Sequence, residues 1–418
     1  MKKLLVIGYV WPEPASSAAG SRMMQLVEIF HQHQYQVSYA SPAQVTDHMV
    51  NLESLGIDKV SIELNNSSFD EFVKKLNPDV VLFDRFMMEE QFSWRVEKQC
   101  PSAIRILETV DLHCLRYARQ QAVKKGKDAS KSENLDFIND IALREVASIL
   151  RCDLSLLISE YEIEILKEIY HVDEDLLLYL PFMYDAMDRD DALQAWPSYS
   201  ERQHFVTIGN FRHEPNWDSV LYLKNEVWPL IRAKLKNAEL HIYGSYPPKK
   251  AQQLHNPKQG FYVKGWAEDA ITSLSQYRVC LSPLRFGAGM KGKLADAMLS
   301  GTPSVTTSIG AESMHADFDW PGIIADDPVS ITGAAIDLYT DQEQWQLCQS
   351  NGIFIINSVF NKEKYALKFY QRLLDTIEAL QDKRHKNFTG MMLQHHTMKS
   401  AMYMSQWIEA KNKLNKEE

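Results

Sequence analysis

Short apolar runs alternate with amphipathic stretches along most of this 418-residue chain. Leu4 to Ile7 reads as a buried strand, Ser21 to His31 as an amphipathic helix, and Tyr35 to Ala40 as a second strand. Phe69 to Leu76 reads as a helix ended by Asn77 and Pro78, with further strands at Val80 to Phe83 and Ala103 to Leu107. Asn134 to Leu150 is expected to be helical. Strand Leu154 to Ile158, helix Glu160 to Ile169 and a last run at Leu177 to Pro181 follow. The stretch Tyr184 to Gln203 is polar, rich in Asp and Ser, and lacks apolar periodicity, so it reads as a linker. Alternation resumes with a strand opening at His204, helix Val220 to Leu235, strands Glu239 to Tyr243 and Gly260 to Lys264, and helix Ala270 to Tyr277. This pattern predicts an α/β protein with parallel sheets covered by helices. Lys362 to Glu418 reads as helical, with Tyr365, Phe369, Leu373 and Leu374 on one packing side. The expected division is a domain over 1–184, a linker over 185–203, a second domain over 204–361, and terminal helices over 362–418 packing back on the first domain.

Composition narrows the function classes. A chain with 45% hydrophobic and 24% charged residues is globular rather than disordered. A net charge of −10 gives no basic footprint for nucleic acid. No apolar run approaches the roughly 20 residues that span a bilayer, and the run after Lys2 and Lys3 is short enough to read as a first strand rather than a signal peptide. The cysteines, Cys100, Cys114, Cys152, Cys280 and Cys348, show no metal spacing and fit reduced thiols in the cytoplasm. Met391, Met392, Met398, Met402 and Met404 suit packing of a return helix, and adjacent His395 and His396 point different ways on a helix rather than toward one metal.

The segment Leu281 to Gly310 carries the most chemistry. An apolar strand end precedes a turn punctuated by Gly287, Gly289 and Gly292, then a helix with Leu294, Ala297 and Met298. Gly301-Thr302-Pro303 stops that helix ahead of strand Ser304 to Thr307. Small residues at the turn let backbone amides approach a ligand, and a helix N-terminus favours an anion. Lys291 and Lys293 add positive charge, and Asp296 sits one turn into the helix. Amides and lysines for a diphosphate, with a carboxylate for hydroxyls, suit a nucleotide or phosphorylated sugar.

The strings P-L-R-x-G-x-G-x-K-x-K-x-x-D-A-M and G-T-P-S-V-T-T-x-x-G-A-E resemble the donor segment of the group 1, family 4-like, retaining nucleotide-sugar glycosyltransferases. The resemblance implies a GT-B fold: two Rossmann-like domains with parallel sheets facing a central cleft, and a C-terminal helix crossing back to the first domain. It implies an acceptor-binding first domain and a nucleotide-sugar-binding second one. In the family the position of Asp296 is usually Glu, which holds the donor ribose, and a Glu eight residues earlier contacts the transferred sugar. Here that earlier position is Ala288, which leaves sugar recognition to amides of Gly287, Ala288, Gly289 and Met290.

Ligands of open parallel sheets bind beyond the carboxyl ends of strands, and three more groups fall there. Gly8 and the loop to Gly20 suit close approach by a substrate phosphate and read equally as an ordinary surface loop, the resemblance favouring the first. Asp111-Leu112-His113 resembles the family's short motif, whose His contacts the donor sugar. From the residues alone, with carboxylates Glu108 and Asp111 near it, His113 could orient a sugar hydroxyl or shuttle a proton but reads rather as a capping or core histidine. Arg116 and Arg119 follow at helical spacing, either as phosphate partners or as a solvated face. Gly209 to Asn216, a G-x-x-x-H-x-P-N string, matches one branch of the family, with Arg212 and Lys293 neutralising the diphosphate. Gly265 and Trp266 stand where the family packs the base. Catalysis is expected from His113, Arg212 and Lys293, with a UDP- or GDP-sugar as substrate and no cofactor or metal. The acceptor is a glycan, lipid-linked sugar or protein. Peripheral contact with the inner face of a membrane stays open, as do a GT-B epimerase or hydrolase and a silent nucleotide-sugar-binding subunit.

Overall fold

The computed structural model describes residues 1–417. Seven parallel strands form the first sheet: β1 (Lys3–Ile7), β2 (Gln36–Ser41), β3 (Asp58–Ser61), β4 (Val80–Asp84), β5 (Ile104–Glu108), β6 (Leu154–Leu157) and β7 (Leu177–Tyr179). Their order is β3-β2-β1-β4-β5-β6-β7. The second sheet holds β8 (Gln203–Ile208), β9 (Leu240–Tyr243), β10 (Phe261–Gly265), β11 (Tyr277–Ser282), β12 (Ser304–Thr306) and β13 (Gly322–Ile324), ordered β10-β9-β8-β11-β12-β13 and again parallel. Strands β4, β5, β6 and β12 are buried along their whole length, as strands covered on both faces by helices must be. Order reverses beside β1 and β4 in the first sheet and beside β8 and β11 in the second. Such switch points open crevices at the carboxyl ends.

The two parallel sheets and returning terminal helices meet the expected architecture. Tyr365, Phe369 and Leu373 of helix Lys362–Glu378 enter the core that holds Phe30, Leu156 and Leu180, and Phe369 meets Phe30 edge-on at 5.6 Å. Helix Phe388–Glu417 continues along the first domain, where Met398 is buried. Met391, Met392 and Met404 stay about half exposed, so the methionines pack less completely than their density predicts. Tyr184 pairs with Asn361, and the Asn357 side chain exchanges hydrogen bonds with the Met187 backbone, tying the linker to the C-terminal crossing.

Several boundaries move for local reasons. The first helix is Ala18–Gln32, because Ser17 caps the Gly20 amide at 3.1 Å and starts it three residues early. The fifth helix begins only at Asp140, where Asn139 caps Ala142, so 135–139 is not helical as expected and Asn134 instead ends a short 3-10 turn, Ser132–Asn134. The predicted helix Val220 to Leu235 is longer and interrupted: Glu214–Tyr222, a π turn over Leu223–Val227, then Trp228–Lys234. Helix Phe86–Gln99, with Glu89 and Arg95 buried, was not legible as amphipathic. No helix among the described residues is long and apolar enough to cross a membrane.

Candidate active site

The donor turn sits between the halves. Gly289 has φ +61°, and a Cβ there would lie 2.8 Å from Asp111 Cβ and 3.2 Å from the Val110 carbonyl oxygen. Only glycine fits this backbone conformation and this approach. The β-branched Val110 opposite is itself held at φ +65°, an uncommon conformation retained where packing over-determines it. The turn is clamped from the first domain by Arg119. Its Nη1 donates to the Gly287 carbonyl at 2.9 Å and to Glu312 Oε1 at 2.9 Å, and its Nη2 donates to Glu312 Oε2 at 2.5 Å. Arg119 is therefore a bridge between halves and not a free phosphate partner. Arg116 is likewise spent on Asp111.

Glu162, from helix Glu160–Glu168, was not singled out by the sequence. Its Oε1 accepts from the Leu112 amide at 2.8 Å and, across the cleft, from the Gly289 amide at 2.7 Å. Its other oxygen is buried with no partner among the described residues. Burial, then the neighbouring Asp111, pushes this carboxyl up to about 8, against the pull of both amides. The Gly289 amide is thus already engaged, by Glu162.

His113 opens helix His113–Lys124. Its neighbours correct the expectation of Glu108: that carboxylate is buried against Arg22, at 3.4 and 3.2 Å, and has no contact with the imidazole. Glu145, from helix Asp140–Arg151, takes that place. It accepts from the His113 and Cys114 amides at 3.0 and 2.9 Å and faces His113 Nδ1 at 3.3 Å. Asp111 Oδ1 lies 3.7 Å from Nε2. Burial would raise the Asp111 carboxyl, but the Arg116 guanidinium, with His113 and His213 beyond it, holds it well below the usual range. Glu145 lies 32 residues from His113, a separation that no local pattern connects.

On the second-domain side, Gly209 follows β8, and a Cβ there would stand 2.9 Å from Lys293 Nζ. Lys293 has no salt bridge or hydrogen bond among the described residues, and burial lowers its ammonium to about 8. It stands in the first turn of helix Gly292–Leu299, where amides and dipole add to its charge. Asp296, one turn on, is also without a hydrogen-bond partner. Burial, then Asp269, raises its carboxyl to about 7, with Lys293 opposing. Both groups keep some contact with cleft water. Arg212 stacks on the Tyr246 ring at 3.6 Å and pairs with no carboxylate among the described residues. His213, the residue after it, lies within electrostatic reach of Arg116, Asp111 and His113 on one side and Lys293 on the other.

Other predicted residues land differently. Lys291 is buried, donates to the Gly289 carbonyl at 2.6 Å and faces Glu312, so it braces the turn instead of reaching solvent. Ala288 packs into the first-domain core with Leu112 and Leu115, and Met290 packs with Ile158 and Phe182. Gly20 lies inside the first helix, where a Cβ would stand 2.5 Å from the Glu13 carbonyl carbon. It serves the fold of its own loop, which had been expected to meet a phosphate. Gly265, at φ +84°, ends β10 at a register shift. Trp266 is 41% exposed, 4.6 Å from the His48 ring, and donates to the Ala15 carbonyl at 3.3 Å. It belongs to the cleft mouth rather than to a core.

Residues 202–341 match the family model of the glycosyl transferases, group 1. No curated protein sequence matches the chain. Sucrose-phosphate synthase from Thermosynechococcus elongatus superposes with a TM-score of 0.66 at 15% identity, covering 91% of this chain and 100% of that one. Anabaena HepE in complex with UDP and glucose gives 0.65 at 11% identity, with 89% and 99% covered. WaaG, a glycosyltransferase involved in lipopolysaccharide biosynthesis, gives 0.58 at 12%, with 87% and 98% covered. At such identities the likeness concerns the fold. This chain has the GT-B fold, and residues 202–341 of its second half match the group 1 glycosyl transferases.

Proposed function

We propose that the protein transfers a sugar from a nucleoside-diphosphate sugar to an acceptor hydroxyl, with retention at the anomeric carbon. One observation carries the reading: Lys293 and Arg212, both free of carboxylate partners among the described residues, follow strands β11 and β8, and His213 beside Arg212 lies within electrostatic reach of both Lys293 and His113. As the glycosyl bond breaks, negative charge grows on the departing diphosphate. Lys293, Arg212 and the amides at the start of helix Gly292–Leu299 would stabilise that charge without reorganising. Asp296 would accept from ribose hydroxyls. His113, oriented by Glu145, would meet the sugar near the reacting carbon. The acceptor hydroxyl would attack from the face that the diphosphate leaves, so no side-chain nucleophile is needed, and the cations make a divalent metal dispensable. Five free, buried cysteines suit a reducing cytoplasm.

The test has two stages. A thermal-shift panel of nucleoside diphosphates and their sugars identifies the donor, since a ligand at about 100 times its Kd adds roughly 2.7 kcal/mol. Release of nucleoside diphosphate is then followed with and without candidate acceptors, in the presence of EDTA. Acceptor-dependent release with an unchanged anomeric configuration is expected. Equal release without acceptor would make the protein a hydrolase, and binding without release a silent subunit.

A further inference from the structure

A second cavity lies at the other end of the first sheet. It occupies about 780 Å³ between the terminal helices and the amino-terminal ends of β5, β6 and β7, within the size range of small-molecule sites. Trp94, Leu150, Leu176, Met391, Met398 and Met402 give it apolar walls, three of them adaptable methionines.

Its polar groups do not balance. Arg105, 8% exposed, lines the cavity, and its Nε and Nη1 have no hydrogen-bond partner among the described residues. The nearest carboxylate oxygen, Asp153 Oδ2, is 3.7 Å from Nε, beyond a hydrogen bond. Asp153 is already occupied: Arg384 Nε and Nη2 donate to its two oxygens at 2.7 and 2.8 Å, and the Arg105 amide donates at 2.8 Å. Lys383 Nζ, on the same wall, is also buried without a partner. Two guanidiniums therefore share one carboxylate, and the Lys383 ammonium has Asp153, Asp175 and Asp375 within electrostatic reach but none within hydrogen-bond distance among the described residues. The remaining lining charges do not restore balance. Glu97 keeps its negative charge while accepting from Gln394 at 2.6 Å, Arg151 is consumed by Glu89, and Lys98 and Lys399 add two positive charges that leave the lining cationic. A buried guanidinium left uncompensated is costly, and one aimed into a roomy cavity is ready for an anion.

We propose that this groove binds an amphipathic anion, a phosphate monoester or carboxylate on an apolar chain. Arg105 and Lys383 hold the charged head, and the methionine walls hold the chain. The site is separate from the cleft, because Arg105 stands near the start of β5 and His113 follows its opposite end. The proposal is independent of the transferase reading.

The experiment is calorimetric titration of the full chain with octyl phosphate below its micelle concentration, with octanoate, and with inorganic phosphate. Saturable binding is expected for octyl phosphate or octanoate, tighter than for inorganic phosphate. Arg105→Gln should weaken it about 10- to 100-fold, the loss expected for charge-assisted hydrogen bonds, with the circular dichroism spectrum unchanged. Met391→Trp, made at the groove's rim away from Arg105, crowds the apolar side and should weaken octyl phosphate while sparing inorganic phosphate. It also keeps the test decisive if the Arg105 variant does not fold. Vesicles of phosphatidylglycerol in phosphatidylcholine separate the sources: binding of monomer alone marks a soluble ligand, and binding of both marks a lipid headgroup. No binding of either octyl compound to the wild type would overturn the proposal. So would unchanged binding by the folded variants, or vesicle association without monomer binding.

Discussion

Arg119 gives the sharpest separation between a binding role and a structural one. Its guanidinium is 1% exposed, and it makes three hydrogen bonds to the other half, two to Glu312 and one to the Gly287 carbonyl. Arg119→Met keeps the apolar stem and removes all three. Breaking a buried pair from one side typically costs about 3–5 kcal/mol, because the remaining charge is left uncompensated. The Glu312 side chain is 16% exposed and regains some water, which places the expected loss near the low end, about 3 kcal/mol. Urea unfolding with tryptophan fluorescence would measure it. The double variant Arg119→Met, Glu312→Met should recover part of the loss, since no carboxylate is then stranded. Nucleoside-diphosphate affinity should fall only as far as the donor turn loosens. Unchanged stability together with a large loss of diphosphate affinity would refute the bridge and return Arg119 to the phosphate-binding role.

Four further outcomes are expected. Lys293→Ala should weaken nucleoside-diphosphate binding by about 1.5–3 kcal/mol, the scale of a charge-assisted hydrogen bond, as read by calorimetry. Asp296→Asn should lower nucleotide affinity and leave pyrophosphate affinity nearly unaltered, whereas equal loss for both would assign Asp296 to the turn's own fold. His113→Ala should reduce kcat by about 10²–10⁴-fold with diphosphate affinity retained, and near-normal turnover would make the imidazole structural. Glu162 carries a pH dependence. Its carboxyl is raised in the folded chain from 4.5 to about 8, so its contribution to stability is complete below the unfolded value. That contribution is lost progressively as pH rises toward 8. Glu162→Gln should flatten the stability profile across that window in denaturation series, and an unchanged slope would exclude Glu162 as its source.

The sequence by itself determined the elements and their class. The alternation of apolar runs with amphipathic stretches predicted parallel sheets, and the run from Leu281 to Gly310 announced a strand, a glycine-rich turn and a helix. That information is local, and periods of two and 3.6 residues carry it. Lys293, Asp296 and Gly289 were legible because they sit within one turn and helix. Tertiary structure decided which charges remain available. Lys291 and Lys293 look alike two residues apart, yet one braces the Gly289 carbonyl inside the interface and the other faces the cleft unpaired. Arg116 and Arg119 were legible as basic residues but not as the partners of Asp111 and Glu312. Glu145 and Glu162 were invisible, since each acts on a segment tens of residues away, and Arg105 looked like any strand residue. Pairing of buried charges is a long-range property: a carboxylate is neutralised by whichever cation the packed helices bring to it, and spacing along the chain does not encode that choice.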